Sequence, residues 1–238
     1  MIILTGGAGM IGSMIAWHLN TILNKDQFVI VDEFLVPEQE KNIDKRDFID
    51  LIGKNELPNY LKSNSQIEAI IHMGAISATT ENNFNNLLKS NIRYSQFLWD
   101  WASANQVPLI YASSAATYGD GEFGYKDNSD ALLNYKPLNA YGYSKHFFDM
   151  WVQNQLQQNL PKPPKWFGLK FFNVYGPNEY HKGRMASVVY HAFNQFKKDG
   201  EVRLFKSKNP EYKDGMQLRD FIYVKDAVRC IFHLLESS

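Results

Sequence analysis

The 238-residue chain carries a single cysteine, Cys230, so no disulfide can close within it and nothing in its thiol content points to an oxidising compartment. With one thiol, a zinc site would have to come from the six histidines and the carboxylates. Neither a His-x-x-His nor an HExxH pattern occurs, and no metal site is expected. An excess of charge is missing too: Lys plus Arg and Asp plus Glu both number 25. Nucleic-acid and membrane-surface binders usually carry a basic surplus, so neither partner is expected. No run approaches the roughly 18 apolar residues needed to span a bilayer. The start, MIILTGGAGMIGS, lacks a basic n-region and an A-x-A cleavage site and reads as a strand running into glycines, so a cytoplasmic location is the expectation. Internal repeats and low-complexity tracts are absent. The 45% apolar and 21% charged residues are those of an ordinary globular chain.

What is present is an alternation. Apolar runs at Ile2–Thr5, Phe28–Val31, 67–72, 107–112 and 166–172 read as strands. Residues 10–23, 82–105 and 139–159 have helix-like apolar spacing. Strand and helix in repeated succession predict an α/β fold, a Rossmann-like doubly wound parallel sheet with helices on both faces. Residues 33–61 give no clear pattern. After Pro161, Pro163 and Pro164 comes the last strand, and beyond Phe172 the alternation breaks. Gly176-Pro177, Gly183 and the polar run 206–219 predict loops and short elements over the sheet's working edge, with a final helix beginning near Asp226.

The first strand leads into Gly6-Gly7-Ala8-Gly9-Met10-Ile11-Gly12, with glycines at 6, 9 and 12, and a helix follows. Glycine there permits a tight turn, close approach of a pyrophosphate, and close packing of helix on strand. The helix N-terminus aims free N–H groups at the phosphates. The second strand ends at Asp32, where an acid takes a ribose 2′-hydroxyl and favours NAD over NADP. Lys41, Lys45 and Lys54 nearby either supply charge to a 2′-phosphate or are solvated surface lysines.

Three further segments carry candidate chemistry. In Asn139-Ala-Tyr141-Gly-Tyr-Ser-Lys145, Tyr141 and Lys145 stand at i and i+4 on one helix face. An ammonium near a phenol lowers the phenol's pKa, and such a tyrosine can take a proton from a hydroxyl while a nicotinamide takes hydride. Lys145 can also hold the nicotinamide ribose; Tyr143 is the bystander. Ser113 and Ser114, in Tyr111-Ala-Ser-Ser-Ala-Ala-Thr117-Tyr118-Gly119, lie at a strand's carboxyl end, where ligands bind in this architecture. Ser114 can hold the reacting hydroxyl for Tyr141, although either serine could serve only the loop. No G-x-S-x-G surrounds them, which argues against a hydrolase. In His72-Met73-Gly74-Ala75-Ile76-Ser77 the small Gly74 and Ala75 would let a flat cofactor pass. Asn91 falls in the next helix, facing either that cofactor or solvent.

Together TGGAGMIG, HMGA, YASSAATYG, YGYSK and FFNVYGP resemble the extended short-chain dehydrogenase/reductase family, in order and over nearly the whole chain. Within it, KPLNAYGYSK, FNVYGPNEYHKGRMASVVYH and LFKS…RDFIYV are similar to the branch of ADP-L-glycero-D-manno-heptose 6-epimerases. The resemblance implies a cytoplasmic isomerase of lipopolysaccharide core synthesis that oxidises ADP-D-glycero-D-manno-heptose at C6″ and reduces it from the opposite face. Tyr141 and Lys182 would be its two acid/base groups, with Ser114 and Lys145 assisting. Met10, Ile11, Asp32, Glu33, Lys54, Met73, Gly74, Ala75, Ile76, Ser77, Asn91, Lys145, Val174 and Lys182 would contact the cofactor. Asn173, Arg184, His191, Phe205, Lys206, Ser207, Lys208, Arg219 and Tyr223 would hold the ADP-sugar. Arg219 suits a diphosphate, which guanidinium binds in bidentate fashion.

The resemblance favours NADP, with NAD the alternative that Asp32 suggests, and a homo-oligomer. It divides the chain into a cofactor domain at 1–172 and a partial substrate lobe at 173–238, shortened because family members continue past Ser238. Met10 stands where an aromatic is usual, and Ile76 replaces a small residue. Another nucleotide-sugar epimerase, a dehydratase, or a non-catalytic cofactor-binding protein remain alternatives. Ala115 and Ala116 count against a dehydratase, which places acidic residues there.

Overall fold

In a computed structural model of the protein, the runs Ile2–Thr5 (β1), Phe28–Val31 (β2) and Ala69–His72 (β4) are buried at every residue. Strands covered on both faces have that character. The structure describes residues 1–33, 36–64, 66–127, 129–208 and 210–237. Ser238, where the expected second lobe ends, lies outside the described residues. With Asp50–Ile52 (β3), Leu109–Ser114 (β5) and Trp166–Phe171 (β6), these strands form one six-stranded sheet in the order β3-β2-β1-β4-β5-β6. Every pairing in it is parallel. The order reverses between β1 and β4, so the carboxyl ends of those two strands open a crevice where such sheets bind ligands.

Successive side chains of a strand point to opposite faces, and each face builds its own core. Leu4, Ile30 and Ile71 pack with Met14, Ile15 and Leu19 of Met10–Thr21 (α1) and with Val228, Ile231 and Phe232 of Val224–Glu236 (α7). Ile3, Val29 and Ile70 pack with Leu57 and Leu61 of Leu57–Ser63 (α2), Leu98 and Trp99 of Tyr94–Ala104 (α4), and Phe148 and Val152 of Ala140–Gln157 (α5). Burial of each large aliphatic or aromatic side chain contributes about 1.5–3 kcal/mol. The last helix thus packs beside the first.

Several expected elements differ. The helical stretch at 82–105 is broken into Phe84–Leu87 (α3), a π-turn at Leu88–Arg93, and α4. The Asn83 side chain caps α3 by accepting from the N–H groups of Asn85 and Asn86, and the π-turn swings Asn91 into the interior, where it is 1% exposed. The unassigned stretch contains a 3-10 turn at Pro37–Asn42, β3 and the start of α2. Past Phe172, Asn173–Tyr175 (β7) and Phe221–Tyr223 (β8) pair in parallel. Between them runs an unforeseen helix, Val188–Asp199 (α6). Ser187 caps it by accepting from the Tyr190 N–H at 3.1 Å, and Gly200 ends it at a φ of +75°. The final helix begins at Val224, close to the expected start near Asp226. Among the described residues no helix is long and apolar enough to cross a membrane.

Candidate active site

The turn from β1 into α1 is built around backbone contacts that exclude side chains. Gly6 has a φ of +69°, and a Cβ on it would stand 2.5 Å from the Gly74 nitrogen. A Cβ on Gly12 would collide with the Gly6 carbonyl oxygen. Gly9 caps α1 without a side chain, so the first-turn N–H groups are left to an anion. These features fit a dinucleotide's pyrophosphate. Two cavities follow the turn. One, about 390 Å³, is lined by Gly6, Gly9, Met10, Ile11, Gly12, Asp32, Met73, Gly74, Ala75, Ser77 and Lys182. The other, about 110 Å³, is lined by Asp32, Glu33, Lys54, Gly74, Ala75, Ile76 and Tyr94.

Asp32 lies in the wall of both, with its carboxylate already engaged. One oxygen accepts the Ala8 N–H at 2.7 Å and the other the Glu33 N–H at 2.8 Å. Burial pushes its pKa up while those two bonds pull it down. It fastens the glycine turn to the end of β2. The Lys54 ammonium lies 4.6 Å above the Tyr94 ring; burial lowers its pKa and Glu33 opposes that.

Gly74 is held from behind by a chain of buried hydrogen bonds. Its N–H donates to Thr5 Oγ1 at 3.1 Å, and Thr5 Oγ1 meets His72 Nδ1 at 2.6 Å. His72 Nε2 lies 2.9 Å from Ser95 Oγ, which donates to the Asn91 carbonyl at 2.8 Å. Because the Ser95 proton goes to Asn91, His72 donates from Nε2 and accepts from Thr5 at Nδ1. Asn91 itself accepts the Ile76 N–H and donates to the Ile76 carbonyl and to Ser144 Oγ, each at 2.9 Å. It therefore shapes the cofactor-side loop from inside and lines neither cavity.

Asn139 caps α5 by accepting the Gly142 N–H at 2.8 Å, which sets Tyr141 in the first turn. The Tyr141 phenol neighbours Ser114; burial raises its pKa and the serine hydroxyl opposes the rise. Lys145 is 5% exposed and donates to the Ala112 carbonyl at 2.7 Å. Burial brings its pKa down to about 8, with Asp149 opposing. Tyr141, Ser114 and Lys145 are thus gathered at the end of β5. It is the serine, rather than the lysine, that supplies the downward pull on the phenol.

Lys182 sits in a 3-10 turn at Tyr180–Met185 that leans on the glycine turn. Its Nζ lies 3.7 Å from Met10 Sδ, and Asn178 donates to Ser13 Oγ at 2.9 Å. Burial lowers the Lys182 pKa, opposed by Glu179. Glu179, 1% exposed, accepts from the Gly176 N–H, the Ser187 N–H and the Ser187 hydroxyl at 2.6–2.9 Å. Lys182 also lines a cleft of about 890 Å³ with Asn173, Val174, Phe205, Lys206, Ser207, Lys208, Gln217 and Arg219. Arg184 and His191 line an adjoining cavity that shares Phe205. Tyr223 packs on Tyr175, ring centroids 5.6 Å apart.

Sequence reasoning missed Asn42, which joins the Ala8 carbonyl at 2.7 Å to His181 Nδ1 at 3.2 Å; contacts so distant along the chain leave no local signal. It also missed Asp149, which the i+4 step from Lys145 could have revealed.

Comparison with known proteins agrees with this geometry. An ADP-L-glycero-D-manno-heptose-6-epimerase of Fusobacterium nucleatum is 52% identical over 99% of this chain and 71% of its own length. One from Pseudomonas aeruginosa is 39% identical over 99% of this chain and 69% of its own. The crystal structure of the Helicobacter pylori ADP-L-glycero-D-manno-heptose-6-epimerase superposes with a TM-score of 0.81 at 29% identity, covering 100% of this chain and 73% of that one. Residues 2–238 match the NAD dependent epimerase/dehydratase family, and the chain belongs to that family.

Proposed function

We propose that this protein converts ADP-D-glycero-D-manno-heptose to its L-glycero epimer at C6″, for lipopolysaccharide core synthesis, using NADP. The observation that carries the sugar assignment is the 52% identity, over 99% of the chain, with an enzyme named for that product. The glycine turn, Gly74 and the α1 N-terminus would hold the dinucleotide's pyrophosphate. Asp32, Glu33 and Lys54 would surround its adenosine ribose, and Lys54 would supply the charge for a 2′-phosphate. A nicotinamide dinucleotide, when bound, supplies the hydride acceptor and donor. Ser114 orients the sugar hydroxyl and Tyr141 takes its proton. Lys182, on the wall between the cofactor cavity and the larger cleft, serves as the second acid/base. Burial lowers its pKa, which eases release of its proton. Arg219 and residues 205–208 would bind the diphosphate and sugar. The working form is a cytoplasmic homo-oligomer.

The test is incubation with ADP-D-glycero-D-manno-heptose and NADP, following C6″ configuration by proton NMR. Conversion is expected, and Tyr141→Phe should abolish it while NADP still binds. Binding of NADP without conversion would overturn the reading in favour of a non-catalytic cofactor-binding protein.

A further inference from the structure

Behind Ser114 and Tyr141 lies a buried ion pair that the proposed reaction does not use. Lys170 of β6 and Asp149 of α5 meet at 2.6 Å, with side chains 14% and 7% exposed. A buried pair is weak evidence for stability, since desolvating both charges offsets their attraction. This one is tied to everything around the catalytic serine. Lys170 stands opposite Ser113 in the β5–β6 register, and the Ser113 hydroxyl donates to the same Asp149 oxygen at 2.6 Å. Lys170 also donates to Thr117 Oγ1 at 2.8 Å. Thr117, 0% exposed, donates in turn to the Ser114 carbonyl at 2.8 Å. The turn Ala115–Tyr118 is thereby pinned, and its first N–H groups include that of Ala116, which donates to Ser114 Oγ at 3.1 Å. Asp149 lies one helical turn past Lys145 and two past Tyr141, so a single face of α5 carries both ends of the arrangement.

We propose that Lys170 and Asp149 are a positioning pair that clamps the turn 115–118 and so keeps the Ser114 hydroxyl against the Tyr141 phenol. The importance of that contact rests on Tyr141 being the acid/base of the proposed reaction; the clamp itself can be read without substrate. Among the described side chains, the charged and titratable groups on α5 and the elements packed on it are Tyr141, Tyr143, Lys145, His146 and Asp149 of α5, Tyr111 of β5, Tyr118 of the turn 115–118, and Lys89 and Arg93 of the π-turn. Lys170 joins them through Asp149. The test disturbs only the clamp.

The full chain is prepared with 3,5-difluorotyrosine, whose phenol ionises at lower pH than tyrosine's, genetically encoded at position 141, and the fluorine shift is titrated by NMR. Thr117→Val changes no charge and should raise the phenol midpoint by about one pH unit, the equivalent of one lost hydrogen bond. Asp149→Asn should also raise it, although removing a negative charge by itself would lower it. Lys170→Arg, which keeps the cation, should stay within about 0.3 unit of the parent. An unmoved midpoint in Thr117→Val, in protein with a cooperative melting transition, would overturn the clamp. So would a fall in Asp149→Asn, which would reveal only the field of the charges. Failure of heptose conversion would count against the proposed reaction and leave these titrations to decide the clamp.

Discussion

Thr5 Oγ1 and His72 Nδ1 lie 2.6 Å apart, side chains of residues paired across adjacent parallel strands β1 and β4. The contact sits at the mouth of the crevice and passes to the Gly74 backbone, so an interior bond sets the floor of the cofactor site. Burial holds the folded imidazole neutral down to about pH 3, against 6.5 for a free histidine. Between those values the unfolded chain binds the extra proton. Stability is therefore complete above about 6.5 and falls as the pH drops toward 3, by about 1.4 kcal/mol per unit from this group. Urea denaturation at several pH values should show that slope reduced in His72→Gln.

Asn91 spends its amide on Ile76 and Ser144. Asn91→Leu should leave those partners unsatisfied and cost about 2–4 kcal/mol. A denaturant midpoint shift of that size, with weaker cofactor binding as a consequence of the loosened 74–77 loop, is the expected result. Weaker binding at unchanged stability would instead indicate direct contact.

Gly12→Ala drives a Cβ into the Gly6 carbonyl. Overpacking of this kind costs about 1–3 kcal/mol, and because the displaced atoms form the phosphate cradle, NADP affinity should fall by about tenfold or more. Fluorescence titration with the reduced cofactor measures it.

Lys54 is the cation in the smaller cavity. If it takes a 2′-phosphate, Lys54→Met should weaken NADP about tenfold, the loss of one charge-assisted bond, and NAD by less than about twofold. Calorimetry with both cofactors separates this from an equal loss, which would mean that Lys54 serves only to cover the Tyr94 ring.

The parallel sheet was legible because β1, β2 and β4 are short apolar runs, and the glycine turn because its spacing is dictated by backbone collisions. β3 was not, since Asp50 and Leu51 are exposed and only Ile52 faces the core. The break at Leu88–Arg93 leaves the apolar spacing of 82–105 nearly intact, so a longer hydrogen-bond step there is invisible in composition. Helix α6 has a clear cap and stop and an apolar stripe at helical spacing, Val188, Val189, Ala192, Phe193 and Phe196, but it lies among loops and none of its residues is fully buried. In the site, Tyr141, Lys145 and Ser114 could be paired from helical spacing and strand ends. Asp149 with Lys170, and Asn42 with His181, join segments that only the folded chain brings together.

The three bonds that Glu179 accepts join Gly176 to Ser187, the two feet of the segment bearing Lys182. A loop cinched at its neck keeps its footing when side chains at its exposed positions change. Enzymes with new sugar preferences could therefore be sought by randomising positions 180, 184 and 185 while leaving Gly176, Glu179, His181, Lys182, Gly183 and Ser187 fixed, so that variation falls on recognition and the scaffold stays inherited.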